Sequence, residues 1–455
     1  MRIVLINPKP KIWIKSTTIP LGLAYLASCA RRDSHDVSVC DLNLNPDQVI
    51  PEADLYGITA TTPLVNSAYS LASRLKKSNN YIVLGGPHPT CLPDEGMAVR
   101  EIDFIVRGEG EETFLSLLKE ICGKKKYKRI PGLTWRDNFR IIHNPAGNFI
   151  TDLDSISFPA FDLFGDISRY SHPQPLIGWR KPVVNIITSR GCPYNCHFCY
   201  KGTFGRVWRC RSPENILAEW EMLIKKFNVR EIGIQDDCFN IDIRRAKEFA
   251  KLVIESKLQL PFSFPNGIRA DLLDEELVIL LKKAGMYRTA IGVESGNQIV
   301  LNDIDKKLDL TRLRTGMTIL KKHKIQTIAF FVMGNPSDTE KTMRETIRFA
   351  IEISPTFAQF SMATPFPGTR LFESLSKQGA IQISSWDDYS QFDQKGYFNY
   401  PDGLSGETIR NWVRKAYQGF YFRPAQLLRI FSLRDFYLKI PDYISGFIHF
   451  ILKGQ

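Results

Sequence analysis

The 455-residue sequence has no run of 18 or more apolar residues, which argues against a membrane-spanning helix. Its start turns polar after Pro8 and lacks the apolar core of a signal peptide, so we expect no secretory leader. Nine cysteines are too sparse for a disulfide scaffold, and their number is odd. With 44% hydrophobic and 24% charged residues, the chain is neither disordered nor fibrous. These absences leave a protein of several globular domains in a reducing compartment.

The net charge of +12 is unevenly distributed along the chain. Residues 410–455 contain eight Lys or Arg against two Asp or Glu, which is half of the total excess. The same segment is rich in Trp, Phe, Tyr, Leu and Ile. A segment that is both basic and apolar fits a membrane surface or an anionic, apolar substrate at least as well as nucleic acid.

Short apolar segments alternate with helical patterns in the first third of the chain, which predicts a parallel, doubly wound α/β sheet. Ligands of such sheets bind beyond the carboxyl ends of the strands. Two glycine-bearing loops lie at such ends, Leu84–Thr90 and Arg107–Thr113. Each loop is either a place where the backbone approaches a large ligand or simply a turn. The candidate residues in them are Gly85, Gly86, His88 and Gly108.

A second series of strands begins after a proline-containing, basic segment, which we interpret as a connector with a small hairpin at Ile130–Trp135. Six strand–helix units follow, and they predict an incomplete, six-unit (β/α) barrel with its chemistry at the carboxyl ends of the strands. The predicted barrel strands are Val184–Thr188, Glu231–Gln235, Phe262–Asn266, Thr289–Glu294, Thr327–Met333 and Phe357–Met362.

Three cysteines, Cys192, Cys196 and Cys199, follow the first predicted barrel strand with the spacing C-x₃-C-x₂-C, while the other six are scattered. Thiolates at this spacing predict a [4Fe–4S] cluster with three protein ligands and one open iron. The alternatives are a zinc site completed by His197 and three unrelated core cysteines. Zinc is disfavoured because His197 lies inside the loop and no second ligand pair occurs at finger spacing.

With the aromatic Phe198 directly before the third cysteine, this motif resembles that of the radical S-adenosylmethionine (SAM) superfamily. The resemblance implies that SAM chelates the open iron through its amino and carboxylate groups. It also implies that an electron from the cluster cleaves SAM to a 5′-deoxyadenosyl radical, which is chemistry that side chains alone do not supply.

The ends of the later strands resemble those of the cobalamin-binding branch of that superfamily. The resemblance implies that Arg269 and Glu294, the latter followed by Ser295, bind the carboxylate and ribose hydroxyls of SAM. It implies that the backbone near Met333 and Gly334 cradles the adenine.

Asp236 and Asp237, after the second barrel strand, resemble the Asp-Asp signature of the same branch and are our candidate catalytic residues. They would anchor the SAM amino group or act near the substrate. A buried, hydrogen-bonded turn is the alternative for this pair.

The order of the segments resembles the cobalamin-dependent class over essentially the whole chain. It implies a Rossmann-like cobalamin-binding domain at 1–135, a connector at 136–182, a partial radical SAM barrel at 183–385 and a mostly helical, basic and aromatic region at 386–455. The two glycine-bearing loops would then face the corrin ring. No Asp-x-His-x-x-Gly motif occurs, so we expect no protein ligand to the cobalt.

The later barrel motifs and the tail also resemble the subgroup of the anaerobic magnesium-protoporphyrin IX monomethyl ester cyclase and the hopanoid-modifying enzymes. This implies an enzyme that methylates or cyclises an unactivated carbon of an apolar or anionic small molecule, such as a lipid or a tetrapyrrole. Reduced flavodoxin or ferredoxin would supply the electron, and no nucleic-acid partner is expected. We expect a cytoplasmic protein whose tail either contacts the inner face of the membrane or packs on the barrel.

Two alternatives stay open at the level of the sequence. A methylthiotransferase shares the cysteine triplet but normally carries a second set of cluster cysteines, and Cys29, Cys40 and Cys91 are too dispersed in sequence to support one. A non-enzymatic iron–sulfur sensor or scaffold would not need the residues that this chain carries at its later strand ends.

Overall fold

The computed structural model describes residues 1–10, 18–171, 180–389, 398–400 and 403–432. In these residues two large sheets follow one another along the chain, helices pack on both, and a two-stranded ribbon accompanies the second. The predicted α/β class, with a doubly wound domain before a partial barrel and helices at the end, is confirmed.

The first sheet is doubly wound. Its strands are β1 (Arg2–Asn7), β2 (Asp36–Asp41), β3 (Leu55–Thr59), β4 (Tyr81–Gly85), β5 (Phe104–Val106), β6 (Leu133–Asp137) and β7 (Arg140–His143). Its helices are α1 (Leu21–Arg32), α2 (Val65–Leu75), α3 (Pro87–Cys91), α4 (Pro93–Ala98) and α5 (Gly110–Cys122). The strand order is β2-β1-β3-β4-β5-β6-β7, and the first five strands are parallel. The order reverses beside β1, and such switch points place the ligand crevice at the carboxyl ends of the strands.

A hairpin formed by β6 and β7 continues this sheet, and most of its residues lie in the predicted connector at 136–182. β6 pairs antiparallel with β5, so that Trp135 lies opposite Phe104. The rings of Phe104, Tyr127 and Trp135 pack edge to face in sequence. The hairpin covers β5, which would otherwise be an unpaired edge.

The second sheet forms the partial barrel. Its region contains β8 (Val183–Ile186), β9 (Ser189–Arg190), β10 (Arg209–Cys210), β11 (Glu231–Ile234), β12 (Phe262–Phe264), β13 (Met286–Glu294), β14 (Gln326–Met333) and β15 (Phe357–Met362). The helices are α6 (Pro213–Phe227), α7 (Ile243–Glu255), α8 (Glu275–Ala284), α9 (Gln298–Asp303), α10 (Leu310–Lys322), α11 (Glu340–Ile353) and α12 (Arg370–Lys377). The six parallel strands run in the order β15-β14-β13-β12-β11-β8, as the six predicted units require. β9 and β10 form a separate two-stranded ribbon.

The helix α6 shows how the sequence positions these elements. Ser212 caps its first turn by accepting a hydrogen bond from the Asn215 N–H, and Pro213 occupies the first helical position. The apolar residues Ile216, Trp220 and Leu223 recur at helical spacing and are fully buried against the sheet. Helices anchored in this way fix the strands, and with them the loops at the carboxyl ends of the strands.

After the barrel the chain returns to the first domain. Trp386, in a short 3₁₀ turn, donates a hydrogen bond from Nε1 to the Glu95 carboxylate at 3.0 Å. Two further helices, α13 (Gly406–Tyr421) and α14 (Pro424–Phe431), follow, and α13 packs on β15. None of the helices in the described ranges is long and apolar enough to cross a membrane. The apolar tail segment at 443–452 lies outside the described residues.

Candidate active site at the mouth of the barrel

The three cysteines lie on one loop, which begins and ends at the β9–β10 ribbon. All three thiols are free; Cys192 and Cys196 are nearly buried, and Cys199 is exposed. Burial raises the pKa of the Cys196 thiol, and the Lys306 ammonium opposes that shift. The loop therefore gathers three thiols beside a cation at the carboxyl end of the first barrel strand.

The spacing of these thiols fits a cluster. Three cysteines on one loop offer three thiolates, and a cubane binds each thiolate at a different iron. In the part of the chain that the structure describes, no group of three or more His, Cys, Asp or Glu is arranged to hold a single metal ion. The donor set is consistent with the predicted [4Fe–4S] cluster.

Lys201 is a cation of the same loop that our sequence reasoning missed. Burial lowers the pKa of its ammonium, but the charges of Cys199, Cys192 and Asp237 raise it more, so the net direction is upward. Lys201 therefore stays protonated and lowers the electrostatic cost of placing several thiolates together.

The two adjacent aspartates after β11 have different surroundings. Asp236 is buried and accepts hydrogen bonds from the Thr188 N–H and hydroxyl, both at 2.6 Å, and from the Ser189 hydroxyl at 2.7 Å. Its carboxylate thus ties the end of β11 to the residues that lead into the cysteine loop. Asp237 is exposed and interacts electrostatically with Lys201.

At the end of β13, Glu294 pairs with a lysine that the sequence did not indicate. The Lys306 Nζ lies 2.7 Å from the Glu294 Oε1; Glu294 is buried, and the Lys306 side chain is only 13% exposed. Glu294 has a φ of +66° at an irregularity in the β13–β14 register. A non-glycine residue in this region is strained, and such strain concentrates at functional sites.

Gly292 makes room for this pair. A Cβ at residue 292 would lie 2.6 Å from the Glu294 Oε1 and 3.0 Å from the Lys306 Nζ. Burial lowers the pKa of Lys306, but the charges of Glu294 and Cys196 raise it more, so that the ammonium form persists. The buried ammonium therefore links the Glu294 carboxylate to the cysteine loop.

Arg269 contacts the same lysine through the backbone. Its guanidinium binds the Asp271 carboxylate with Nε at 2.8 Å and Nη2 at 2.6 Å. It also donates to the carbonyl of Lys306 at 2.9 Å and to that of Lys307. Most of its donors are thus used inside the protein, and Arg269 holds the segment that presents Lys306.

The other residues predicted to bind SAM lie around this mouth with partners of their own. The Ser295 hydroxyl lies 3.2 Å from the Thr346 hydroxyl on α11, which draws it into the protein. The Gly334 N–H donates to Asp338, and its carbonyl accepts a hydrogen bond from the Tyr400 hydroxyl at 3.0 Å. Met333 is buried, and Phe198 packs edge to face on the His197 ring. The backbone at 334 is therefore rigidly held.

Of the two glycine-bearing loops in the first domain, only the loop with Gly108 approaches the cysteine loop. Gly108 lies nearest the carbonyls of Gly202 and Thr203; a Cβ added to it would be 3.9 and 4.0 Å away from them. The Gly85–Gly86 turn instead packs on its own sheet, where the Ala60 N–H donates to the Gly85 carbonyl. The β5–α5 loop therefore brings the first domain against the loop that carries the cysteines.

His88 lies in a polar cluster at the edge of the first sheet. Its buried ring places Nδ1 3.3 Å from the Thr62 hydroxyl and Nε2 3.4 Å from the Glu95 carboxylate. The Trp386 ring contacts it edge to face at 5.2 Å. His88 thus connects its own domain to the segment that returns from the barrel.

Comparison with known proteins supports both halves of this architecture. The B12 binding domain family matches residues 12–118, and the radical SAM superfamily matches residues 186–350. An uncharacterized methyltransferase of Pyrococcus horikoshii is 32% identical over 96% of this chain and 96% of its own length. The anaerobic magnesium-protoporphyrin IX monomethyl ester cyclase of Rubrivivax gelatinosus is 28% identical over 96% of this chain and 79% of its own.

A solved structure shares the fold across both domains. The radical SAM methyltransferase TsrM from Kitasatospora setae superposes with a TM-score of 0.72 at 17% identity, covering 93% of this chain and 89% of that one. The chain therefore belongs to the cobalamin-dependent radical SAM enzymes. The predicted cofactors, a [4Fe–4S] cluster, SAM and cobalamin, are those of the family. Because this family consists of enzymes, its match to the chain excludes the alternative of a non-enzymatic sensor. The match to the B12 binding domain favours this family over the methylthiotransferases.

Proposed function

We propose that this enzyme methylates an unactivated carbon of an apolar or anionic small molecule at the mouth of the barrel. One observation carries the proposal: the β5–α5 loop of the cobalamin domain lies against the cysteine loop at Gly202 and Thr203. This contact brings the predicted cobalamin edge beside the predicted radical site. The methyltransferase of P. horikoshii, similar over nearly its whole length, supports transfer as the reaction.

We propose that Cys192, Cys196 and Cys199 bind the cluster, and that the Lys306–Glu294 pair receives SAM. When bound, the cluster and SAM supply a carbon-centred radical, and cobalamin supplies a transferable methyl group. The Lys306 ammonium would bind the SAM carboxylate, and the Glu294 carboxylate would accept hydrogen bonds from the ribose hydroxyls. Lys201 would balance the thiolate charge, and Asp237, which is exposed and interacts with Lys201, would accept a hydrogen bond from the SAM amino group.

Isotope labelling tests the reaction. The anaerobically reconstituted enzyme would be incubated with reductant, cobalamin and SAM deuterated in its methyl group. Its acceptors would be magnesium-protoporphyrin IX monomethyl ester as a defined probe and extracts of the cells that carry the protein. We expect a product with the deuterated methyl group, together with S-adenosylhomocysteine and 5′-deoxyadenosine. Substrate-dependent deoxyadenosine without any labelled product would contradict methyl transfer.

Matched cysteine variants provide the control. Cys199→Ala should abolish substrate-dependent deoxyadenosine formation, because it removes a proposed cluster ligand. Cys122→Ala removes an exposed thiol at the end of α5 and should retain the activity.

Oxidative cyclisation is the second candidate, because the cyclase of R. gelatinosus is similar over 96% of this chain. A cyclase would consume the tetrapyrrole probe and release deoxyadenosine, with no deuterated methyl group in the product. The same labelling experiment therefore separates the two reactions.

The described end of the chain supports peripheral contact with a membrane. The helix α14 turns Gln426 inwards, where it donates to the Thr356 carbonyl, and exposes Leu428 and Phe431 by 70% and 51%. Arg423 adds positive charge beside this apolar surface, a combination that suits an anionic bilayer. We propose a cytoplasmic enzyme that binds the inner face of the membrane in this way and takes its electron from reduced flavodoxin or ferredoxin.

Vesicle binding tests that contact. Leu428→Glu combined with Phe431→Glu should reduce co-sedimentation with phosphatidylglycerol vesicles. Ile299→Glu, which changes a residue that is 74% exposed on α9, should leave it intact. Equal sedimentation of all variants would reject the membrane contact.

A further inference from the structure

Two glutamates of the cobalamin domain form buried ion pairs with two arginines of the barrel region. The Glu109 carboxylate lies 3.2 Å from the Arg190 Nη1 and 2.8 Å from the Arg209 Nη1, and the Glu111 Oε1 lies 2.6 Å from the Arg190 Nη2. None of the four side chains is more than 10% exposed. We call these four residues the interdomain clamp.

The interdomain clamp contacts the base of the cysteine loop. Arg190 and Arg209 lie directly opposite each other in the β9–β10 ribbon, and the cysteine loop begins and ends at these two strands. Like charges at directly opposite positions destabilise a strand pair. Glu109 is hydrogen-bonded to both guanidinium groups and offsets that repulsion. The first domain therefore supplies a carboxylate that stabilises the closed base of the loop.

Each arginine also contacts the interior of the loop. Arg190 packs between the rings of Tyr25 and Phe204, at 5.1 and 5.2 Å, and so joins α1 of the first domain to the loop. Arg209 donates to the Phe204 carbonyl at 3.0 Å. Gly191, next to Cys192, approaches the other end of the loop so closely that a Cβ would lie 2.4 Å from the Val207 carbonyl. The loop is thus a closed unit that the clamp holds from outside.

The charged groups of the clamp also bond to the backbone of residue 150, where the Ile150 N–H donates to Glu109 and Arg209 donates to the Ile150 carbonyl. Burial lowers the pKa of Arg190, but Glu111, Tyr25 and Glu109 together raise it more, so that the guanidinium stays charged. Removing one member of such a buried network leaves an uncompensated charge, which costs far more than the loss of a surface pair. A change at Glu109 should therefore rearrange the loop.

We propose that Glu109 and Glu111 are positioning residues for the iron–sulfur cluster: from the cobalamin domain they fix the conformation of the loop that carries Cys192, Cys196 and Cys199. The adjacent Gly108 lies at the carboxyl edge of the first sheet and against Gly202. One short loop thus joins the two cofactor regions mechanically. The inference rests on the proposed assignment of the three cysteines as ligands.

The test compares Glu109→Gln with Asp103→Asn in the full-length, reconstituted enzyme. Asp103 pairs with Lys76 at 2.6 Å in the same domain, away from the loop, and so controls for the loss of an ion pair. We expect Glu109→Gln to lose iron to a chelator roughly ten-fold faster than the parent, and the reduced cluster with SAM to give a shifted electron paramagnetic resonance spectrum. Hydrogen exchange should accelerate at residues 191–208 while β4 and α5 stay protected. Asp103→Asn should leave all three readouts unchanged.

Glu111→Gln and a double variant of Glu109 and Arg209 test the same positioning role independently. Glu111→Gln spares Arg209 and should give the same changes to a smaller extent, even where Glu109→Gln fails to fold. Glu109→Gln and Arg209→Gln should each accelerate iron loss. If Glu109 acts through Arg209, the acceleration in the double variant should be smaller than the sum of the two single effects. Equal chelation rates in Glu109→Gln, Glu111→Gln and Asp103→Asn would overturn the positioning role. A parent protein that binds no cluster would instead overturn the cysteine assignment.

Discussion

The Lys306 Nζ lies 2.7 Å from the Glu294 Oε1, and Gly292 faces both atoms without a side chain between them. A protonated lysine and a strained glutamate so enclosed form a preorganised pair of one donor group and one acceptor group. If the pair only stabilises the fold, the ammonium needs no partner other than the Glu294 carboxylate. If the pair binds a ligand, the ammonium donates its remaining hydrogen bonds to that ligand.

Lys306→Gln should weaken SAM binding while the protein stays folded. A hydrogen bond to a charged group contributes about 1.5–3 kcal/mol, which corresponds to roughly a ten- to hundred-fold rise in the dissociation constant. The measurement is the SAM concentration that perturbs the spectrum of the reduced cluster. The control is Lys307→Gln, which changes a neighbour that is 71% exposed and pairs with Asp305. Similar SAM affinity in both variants would count against Lys306 as a SAM ligand.

Gly292→Ala should impair the same site through space alone. The new methyl group would come within 3.0 Å of the lysine nitrogen and closer to the glutamate oxygen, so one side chain must move. We expect weaker SAM binding by isothermal titration calorimetry with nearly unchanged iron content. Gly22→Ala is the matched control, because a Cβ there meets no atom within 4 Å. An unaltered affinity in Gly292→Ala would mean that SAM does not use the Glu294–Lys306 pair.

The sequence predicted those features that follow from local periodicity. The strands of both sheets recur at the expected positions because buried parallel strands are short apolar segments between helices. The spacing of Cys192, Cys196 and Cys199 was sufficient to predict that the three thiols lie close in the chain, because all three belong to one loop. Glu294 could be predicted from the sequence because it is the last residue of a strand.

The sequence could not predict partners that meet only in the folded chain. Glu109 lies 81 residues before Arg190 and 100 before Arg209, and no periodicity connects them. The acidic neighbours of Gly108 pair with arginines of the barrel region, a contact that the glycine-bearing loop did not indicate. Lys306 lies after a helix, and it meets Glu294 at a residue whose backbone is left-handed. Such pairings depend on tertiary geometry that propensity does not encode.

Lys201→Gln should make the cluster harder to reduce. Reduction adds an electron beside Cys199 and Cys192, and removing a nearby positive charge disfavours the reduced state. We expect the midpoint potential to fall by on the order of tens of millivolts. A redox titration followed by electron paramagnetic resonance measures it. Lys225→Gln, on the outer surface of α6, should leave the potential unchanged, and an equal potential in both variants would contradict a role for Lys201 in tuning the cluster.

Asp236→Asn and Asp237→Asn should separate the two aspartates that the sequence treats alike. The buried Asp236 accepts from three donors of Thr188 and Ser189, and an amide presents its own N–H groups to at least one of them. The unsatisfied donors cost about 1–3 kcal/mol, so Asp236→Asn should unfold at lower temperature and retain less iron.

Asp237→Asn, at an exposed residue, should keep the parental unfolding temperature but cleave SAM more slowly, because the acceptor proposed for the SAM amino group is weakened. Anaerobic calorimetry and deoxyadenosine release measure the two effects. If Asp237→Asn unfolds as early as Asp236→Asn while cleaving SAM at the parental rate, both aspartates are structural and the proposed contact of Asp237 with SAM is wrong.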